Sequence, residues 1–184
     1  MSTKIPATVI TGFLGAGKTS LIRHLLENAR GRRLALIINE FGDLGVDREL
    51  LAGCGSAACR EEDIVELTNG CICCTVRGDL VRILLDLKAR RDAGEIHFDR
   101  VVIETTGLAD PGPVAQTFFM DDEVAQSYML DAIITVVDAL HGNQQLDETK
   151  EAQAQVGFAD RILISKTDLA NEETVEALRR RLVQ

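Results

Sequence analysis

The chain has 184 residues, 46% hydrophobic and 27% charged, with no Trp and a formal net charge of −9. That length suits one domain whose core needs no disulfide staples, and the acidic balance argues against nucleic acid, whose phosphates call for basic surface. No apolar run reaches the about 20 residues of a membrane span, and the start, MSTKIPATVITGF, runs from a short apolar segment into glycine with no signal-peptide architecture. The expectation is a cytoplasmic protein with no nucleic-acid or membrane partner.

In chain order, ATVIT (7–11) reads as a first strand: it is continuous and β-branched, as in a sheet covered on both faces. A glycine-rich stretch follows, then a helix on which Leu21, Ile22, Leu25 and Leu26 share a face. His24 lies on that helix as a surface residue. LALIIN (34–39) is the second strand and leads into a loop, Asn39–Gly45. DIVEL (63–67) is a weaker strand candidate, and after the cysteines Leu80, Ile83, Leu84 and Leu87 follow helical spacing. RVVIE (100–104), with His97 on the surface before it, DAIITVVD (131–138) and RILIS (161–165) complete the strands. One helix is expected over 143–156, and another is opened by Asn171 as N-cap, with Glu172 and Glu173 in its first turn. Strand–helix alternation predicts an α/β fold, a doubly wound, mainly parallel sheet with helices on both faces. In such a fold the chemistry gathers at the carboxyl ends of the strands.

The glycine-rich stretch, TGFLGAGKTS, satisfies G-x-x-x-x-G-K-[ST] with Gly12, Gly17, Lys18 and Thr19, and adds Gly15. Glycines let the backbone curl until its N–H groups face a β-phosphate, and the helix N-terminus adds positive potential. Lys18 is expected to bridge the β- and γ-phosphates and Thr19 to hold Mg²⁺, with Ala16 and Ser20 completing the nucleotide contacts. The motif predicts a P-loop NTPase. SKTDL (165–169) resembles the guanine-reading N-K-x-D loop with Ser165 in place of Asn. Asp168 would accept from both the ring N–H and the exocyclic amine of guanine, and the Lys166 stem would pack on the base. In VVIETTGLADP (101–111), Glu104 and Gly107 form an E-x-x-G loop. Glu104 is expected to orient a metal-bound or attacking water and the Gly107 N–H to touch the γ-phosphate. Asp138, at another strand end, competes for the Mg²⁺-shell acid, and Glu104 is preferred.

Cys71, Cys73 and Cys74 occupy three of four consecutive positions. Neighbours this close form only a strained disulfide, whereas thiolates suit soft ions such as Zn²⁺ or Cu⁺ rather than Mg²⁺. A closed structural zinc site takes four protein ligands. The fourth would come from Cys54, Cys59 or Glu40, or the position would stay open, as suits a protein that hands its metal on. A redox pair and buried structural cysteines are the competing readings. His141, at a strand's carboxyl end, is a further functional candidate.

TGFLGAGKT, NEFG, NGCICC, ETTGLADPGPV and SKTDL, in this order, resemble the CobW-type family of GTP-binding metallochaperones, over residues 8 to 169. The resemblance implies a GTPase that turns GTP into GDP and phosphate with Mg²⁺; with no arginine finger readable in the sequence, its hydrolysis is expected to be slow without metal or a partner. It implies Zn²⁺, or Co²⁺, held by Cys71, Cys73 and Cys74 with Glu40 nearby, and delivery of that ion to a client metalloprotein. A homodimer completing the site is a second candidate partner. Family members continue into a last strand and often a C-terminal domain, so residues 1–184 are expected to be the GTPase domain without these. Nucleotide is expected to gate the metal by ordering the loops around it. A P-loop small-molecule kinase and a nucleotide-binding redox or metal sensor are the alternatives.

Overall fold

The structure, a computed structural model, describes residues 4–38, 64–66 and 72–183, with 64–66 and 72–77 described by their backbone alone. Along the chain run β1 (Ile5–Gly12), α1 (Lys18–Glu27), β2 (Leu34–Ile38), β3 (Ile64–Glu66), α2 (Ile72–Asp92) and β4 (Arg100–Glu104). Then come α3 (Gly112–Met120), α4 (Asp122–Ser127), β5 (Tyr128–Asp138), α5 (Gly142–Glu148), α6 (Lys150–Gly157), β6 (Arg161–Ser165) and α7 (Glu172–Leu182). The six strands form one sheet in the order β3-β2-β4-β1-β5-β6, and every pairing is parallel.

The two central strands are buried almost throughout because both faces are covered. Residue alternation along β5 separates the layers. Ile133 belongs to a cluster with Leu80, Leu84 and Leu87 of α2, Val114 and Phe118 of α3, and Val124 of α4. Val137, on the same face by the period of two, packs with Leu146 of α5, Ala152 of α6 and Leu178 of α7. Val136 points the other way, into a cluster with Ile22 and Leu26 of α1. The Tyr128 hydroxyl donates to the Leu84 carbonyl at 2.7 Å, fastening β5 to α2. At the amino ends, Arg100 donates to Thr8 Oγ1 at 2.7 Å and pairs with Asp131, so one guanidinium knits β4, β1 and β5.

The fold class and strand set match expectation, with four local differences. β5 begins at Tyr128 rather than Asp131, because Tyr128, Met129 and Leu130 pair with Ile5, Pro6 and Ala7 before a register shift. The helix expected over 143–156 is two helices. Thr149 adopts extended backbone between them (φ −126°, ψ 132°), and its hydroxyl caps α6 by accepting from the Ala152 N–H at 3.3 Å. α3 and α4 were not expected from periodicity; Asp121 divides them, accepting from the Val124 N–H at 3.0 Å. Finally, α2 begins at Ile72, so its first turn includes Cys73 and Cys74 rather than following them. The Asn171 cap of α7 is as expected, its side chain accepting from the Thr174 N–H at 2.8 Å.

Candidate nucleotide site

β1 ends in the loop that starts α1, and the sheet order places β4 on one side of β1 and β5 on the other. The chain reverses direction of travel across the sheet here, the switch point at which open α/β sheets hold ligands. Gly12 has φ 144° and packs so closely on β5 that a Cβ there would lie 2.3 Å from the Val136 carbonyl oxygen. Gly17, at φ 103°, is the left-handed residue from which α1 departs. The first helical bond runs from the Leu21 N–H to the Gly17 carbonyl at 3.0 Å. The N–H groups of Lys18, Thr19 and Ser20 open the helix and face its N-terminal end, where the helix dipole favours an anion.

Lys18 is buried, with 9% exposure, and folds back so that Nζ donates to the Gly12 carbonyl at 2.9 Å and the Phe13 carbonyl at 3.3 Å. Its ammonium therefore sits inside the curl of the loop. The Ala16 N–H donates to the Phe13 carbonyl at 3.1 Å and closes the turn.

On the β4 side, Glu104 stands opposite Ile10 in the register and is buried. The next residues turn over the phosphate loop. The Thr105 N–H donates to the Ile10 carbonyl at 3.0 Å, and the Thr105 hydroxyl donates to that of Thr11 at 2.8 Å. Gly107 then presses on Leu14, where a Cβ would meet the Leu14 nitrogen at 2.6 Å and its Cα at 2.8 Å. Only glycine fits. The two loops named by the sequence motifs are thus in van der Waals contact.

On the β5 side, the Ser165 hydroxyl donates to the Ala16 carbonyl at 2.6 Å, strapping the end of β6 to the phosphate loop. Lys166 holds a left-handed backbone (φ 55°), unusual for a residue with a side chain. Its ammonium donates to Asp138 Oδ2 at 2.7 Å. Asp138 also accepts from the Leu140 N–H at 2.8 Å and lies 3.2 Å from His141 Nδ1. Burial alone would raise the Asp138 pKa, but the hydrogen bonds from Lys166, His141 and the Leu140 N–H, with the Lys166 charge, bring it down to about 2. Asp138 is therefore a fixed anion committed to Lys166 and the loop after β6. Glu104 is the buried carboxylate at the end of β4, beside the Gly107 loop. Asp168 is exposed beyond Lys166, and His24 and His97 are exposed as expected.

Of the metal residues, Cys71 and Glu40 lie outside the described residues, as do Cys54, Cys59 and the loop 39–45. The backbone of Cys73 and Cys74 lies in the first turn of α2. That turn follows the carboxyl end of β3, so it belongs to the same end of the sheet as the phosphate loop. Among the described residues no His, Cys, Asp and Glu group is arranged to hold a metal, and no helix is long and apolar enough to cross a membrane. The oxygen donors of Thr19 and Glu104, at the ends of adjacent elements, fit a hard ion such as Mg²⁺.

Two contacts were not anticipated from the sequence. One is the Thr11–Thr105 hydroxyl pair; the other is Gln155 of α6, fully buried and bonded to the loop after β4. Thr11 and Thr105 sit within the quoted motifs at positions to which the motifs assign no role, and a lone glutamine in a helix carries no motif, so neither contact stands out in the sequence.

Comparison with known proteins agrees with this geometry. Residues 6–184 match the family model described as CobW/HypB/UreG, nucleotide-binding domain. The zinc chaperone YjiA of Escherichia coli is 49% identical over 180 residues, covering 98% of this chain and 54% of that protein. The zinc-regulated GTPase metalloprotein activator 1 of Schizosaccharomyces pombe is 43% identical over 182 residues, covering 98% of this chain and 43% of that protein. The chain thus spans about half the length of the curated relatives it matches. The crystal structure of Zn(II)-bound YjiA GTPase from E. coli superposes with a TM-score of 0.74 at 41% identity, over 100% of this chain and 55% of that one. The hydrogenase maturation factor HypB from Archaeoglobus fulgidus, at 20% identity and a TM-score of 0.60 over 97% of this chain and 76% of that one, shares the fold. By family match and by identity, the chain belongs to the CobW/HypB/UreG nucleotide-binding family.

Proposed function

We propose that this chain is the GTP-hydrolysing part of a metallochaperone that binds Zn²⁺, or Co²⁺, through Cys71, Cys73 and Cys74 and passes it to a client metalloprotein. One observation carries the nucleotide half of the reading. A loop curled around Lys18 touches the Glu104–Gly107 loop on one side and is strapped by Ser165 to the SKTDL loop on the other. Three segments far apart in sequence, each with its own nucleotide role, meet at one strand end. The zinc-chaperone relatives support the metal half.

In this reading Gly12, Gly15, Ala16, Gly17 and the N–H groups opening α1 wrap the phosphates, and Ser20 lies in the same turn. Lys18 leaves the Gly12 and Phe13 carbonyls for the β- and γ-phosphate oxygens and neutralises charge there. Thr19 would hold Mg²⁺, which supplies further neutralisation when bound. Glu104 orients the attacking water, and the Gly107 N–H meets the γ-phosphate. Asp168 accepts from the guanine edge, while Asp138 fixes Lys166 beside the base. GTP closing the 39–45 loop and the Gly107 loop would bring the cysteines and Glu40 into ligand geometry, and hydrolysis would loosen them. A second copy or the client would complete the catalytic site. A further strand and a C-terminal domain, expected from the family, would add to the base pocket and to client recognition.

The test is titration with fluorescent GTP and ATP analogues, with phosphate release followed in parallel. GTP binding favoured over ATP, with slow phosphate release, is expected. Lys18→Ala removes charged hydrogen bonds to phosphate and should weaken binding about a hundredfold. Equal affinity for ATP, or transfer of phosphate to a small acceptor, would replace the GTPase reading with a kinase.

A further inference from the structure

We infer that Gln155 is a positioning residue for nucleotide hydrolysis, setting the backbone of the γ-phosphate loop from a helix that carries none of the nucleotide motifs. The inference rests on the GTPase reading above and extends it to a part of the fold with no role in it.

Gln155 is 1% exposed, and its side-chain amide donates from Nε2 to two carbonyls of the same loop, Gly107 at 3.1 Å and Ala109 at 3.1 Å. A primary amide offers two N–H donors, so one for each carbonyl. The glutamine is itself held. Its main-chain carbonyl accepts from the Thr135 hydroxyl at 2.6 Å, and Thr135 is buried in β5, next to β1. The connection therefore runs from the middle of the sheet, through α6, to the loop.

The two bonded carbonyls fix two peptide planes, Gly107–Leu108 and Ala109–Asp110. In trans peptides the N–H points opposite to the C=O, and the described residues contain no cis bond. The Leu108 and Asp110 N–H groups are therefore turned away from α6. Between the fixed planes the loop closes a turn, the Ala109 N–H donating to the Thr106 carbonyl at 3.1 Å. Asp110 Oδ1 then accepts from the Gly112 N–H at 2.8 Å and starts α3. The same loop presses Gly107 on Leu14 of the phosphate loop. The Gly107 N–H that meets the γ-phosphate belongs to the preceding peptide, Thr106–Gly107, whose carbonyl is held by the Ala109 N–H. Loss of the Gln155 bonds frees the planes on either side of Leu108, loosens that turn and so misplaces the Gly107 N–H, without removing a contact from the Gly12–Lys18 cradle.

A charged side chain is a poor source of this contact. A carboxylate is acceptor-only when ionised and would face two carbonyl oxygens. An ammonium would pay desolvation at a site where it meets two neutral carbonyls and no counter-charge among the described residues. Glutamine satisfies both carbonyls while remaining neutral.

Gln155→Met keeps the length of the side chain and removes both donors; Gln155→Glu keeps the shape and reverses the polarity. In both, the affinity for GDP should stay within about twofold of the unaltered chain, because the β-phosphate cradle is untouched. The affinity for a non-hydrolysable GTP analogue and the turnover number should each fall, turnover by tenfold or more. GDP and GTP-analogue affinities weakened by one common factor would make the residue merely structural and overturn the inference, as would unchanged turnover in folded Gln155→Met. Hydrogen exchange without nucleotide provides a readout independent of GTP. Residues 105–110 should lose protection in Gln155→Met while β1 and β4 keep theirs, and unchanged protection would again overturn it. A chain that binds no guanine nucleotide but shows this local loss would refute the GTPase reading and leave the tie between Gln155 and the loop standing.

Discussion

Ser165 and Asp138 show how much of the nucleotide site rests on single polar contacts between strand ends. The Ser165 hydroxyl donates to the Ala16 carbonyl, and its Cβ lies 3.9 Å from where a Cβ on Gly17 would stand. A serine at this position is thus short enough to strap the loop without displacing it. Ser165→Ala removes one hydrogen bond worth about 1 kcal/mol and should weaken GDP and GTP by the same factor, about fivefold. Calorimetric titration with each nucleotide checks this; a loss for GTP alone would place Ser165 at the γ-phosphate instead. Asp138 makes a prediction about acid. Its folded pKa lies below its ordinary 3.8, at about 2, so the folded state favours the ionised form. The stabilisation is full above pH 3.8 and is lost as pH falls towards 2. Integrated over that shift it amounts to about 2 kcal/mol. Urea unfolding of Asp138→Asn should show a deficit near that size at pH 7 that shrinks on acidification below pH 4, while a deficit constant with pH would reject the Lys166 pairing as its source.

Elements built from continuous Val- and Ile-rich runs were legible in the sequence because burial on both faces leaves no polar positions in them, as in RVVIE and RILIS. The phosphate loop was legible for a related reason: few sequences other than glycine tolerate φ values of 144° and 103°. What escaped were decisions made by one side chain against its neighbours. Thr149 breaks an otherwise helical run because its hydroxyl does two tasks there, donating to the Gln145 carbonyl at 2.8 Å and capping α6. Threonine in a helix interior would look no different in sequence. The break has a purpose in the fold, since it redirects the chain so that α6 brings Gln155 to the loop after β4. Thr149→Ala should cost about 1 kcal/mol of stability through the lost cap, with Thr149→Ser recovering most of it. Denaturant titration of the pair decides: equal losses in both variants would mean that the methyl group, not the hydroxyl, holds the junction. The start of α2 escaped for a different reason. Ile72 and Val76 do continue the four-residue spacing of Leu80 and Leu84 back to the start of the helix, but Gly78, a poor helix former, and the clustered cysteines between them hide that signal.

At the scale of the whole molecule, the parallel sheet brings nucleotide and metal motifs to one end without placing them side by side. β3, which leads towards the cysteines, is three strand positions from β1, about 14 Å at the usual strand spacing. Direct contact is therefore not needed for the two ligands to influence each other; both need only favour one arrangement of the loops between them. β2 ends at Ile38, beside β4 and its Glu104, so the strand that precedes the NEFGD segment lies between β3, which leads towards the cysteines, and β4 with the Gly107 loop. α2 gives the cysteine turn a rigid root, because Leu80, Leu84 and Leu87 are buried in the core and Leu84 accepts the Tyr128 hydroxyl. Linkage makes the consequence quantitative. A coupling of about 1.4 kcal/mol means that the GTP state tightens Zn²⁺ tenfold and, necessarily, that Zn²⁺ tightens GTP tenfold. Zn²⁺ and Co²⁺ affinities should therefore be measured by chelator competition with Mg²⁺ and a non-hydrolysable GTP analogue, then with Mg²⁺ and GDP, and the analogue's affinity measured with and without Zn²⁺. Matching factors in the two directions, both abolished in the Cys71→Ser/Cys73→Ser/Cys74→Ser variant, are expected of a nucleotide-gated carrier. Metal affinity that is the same in both nucleotide states would make the cysteines a structural or sensing site that happens to share the domain. Tight GTP binding that persists without them would then be no surprise, because the Lys18 ammonium is held by the Gly12 and Phe13 carbonyls of its own loop.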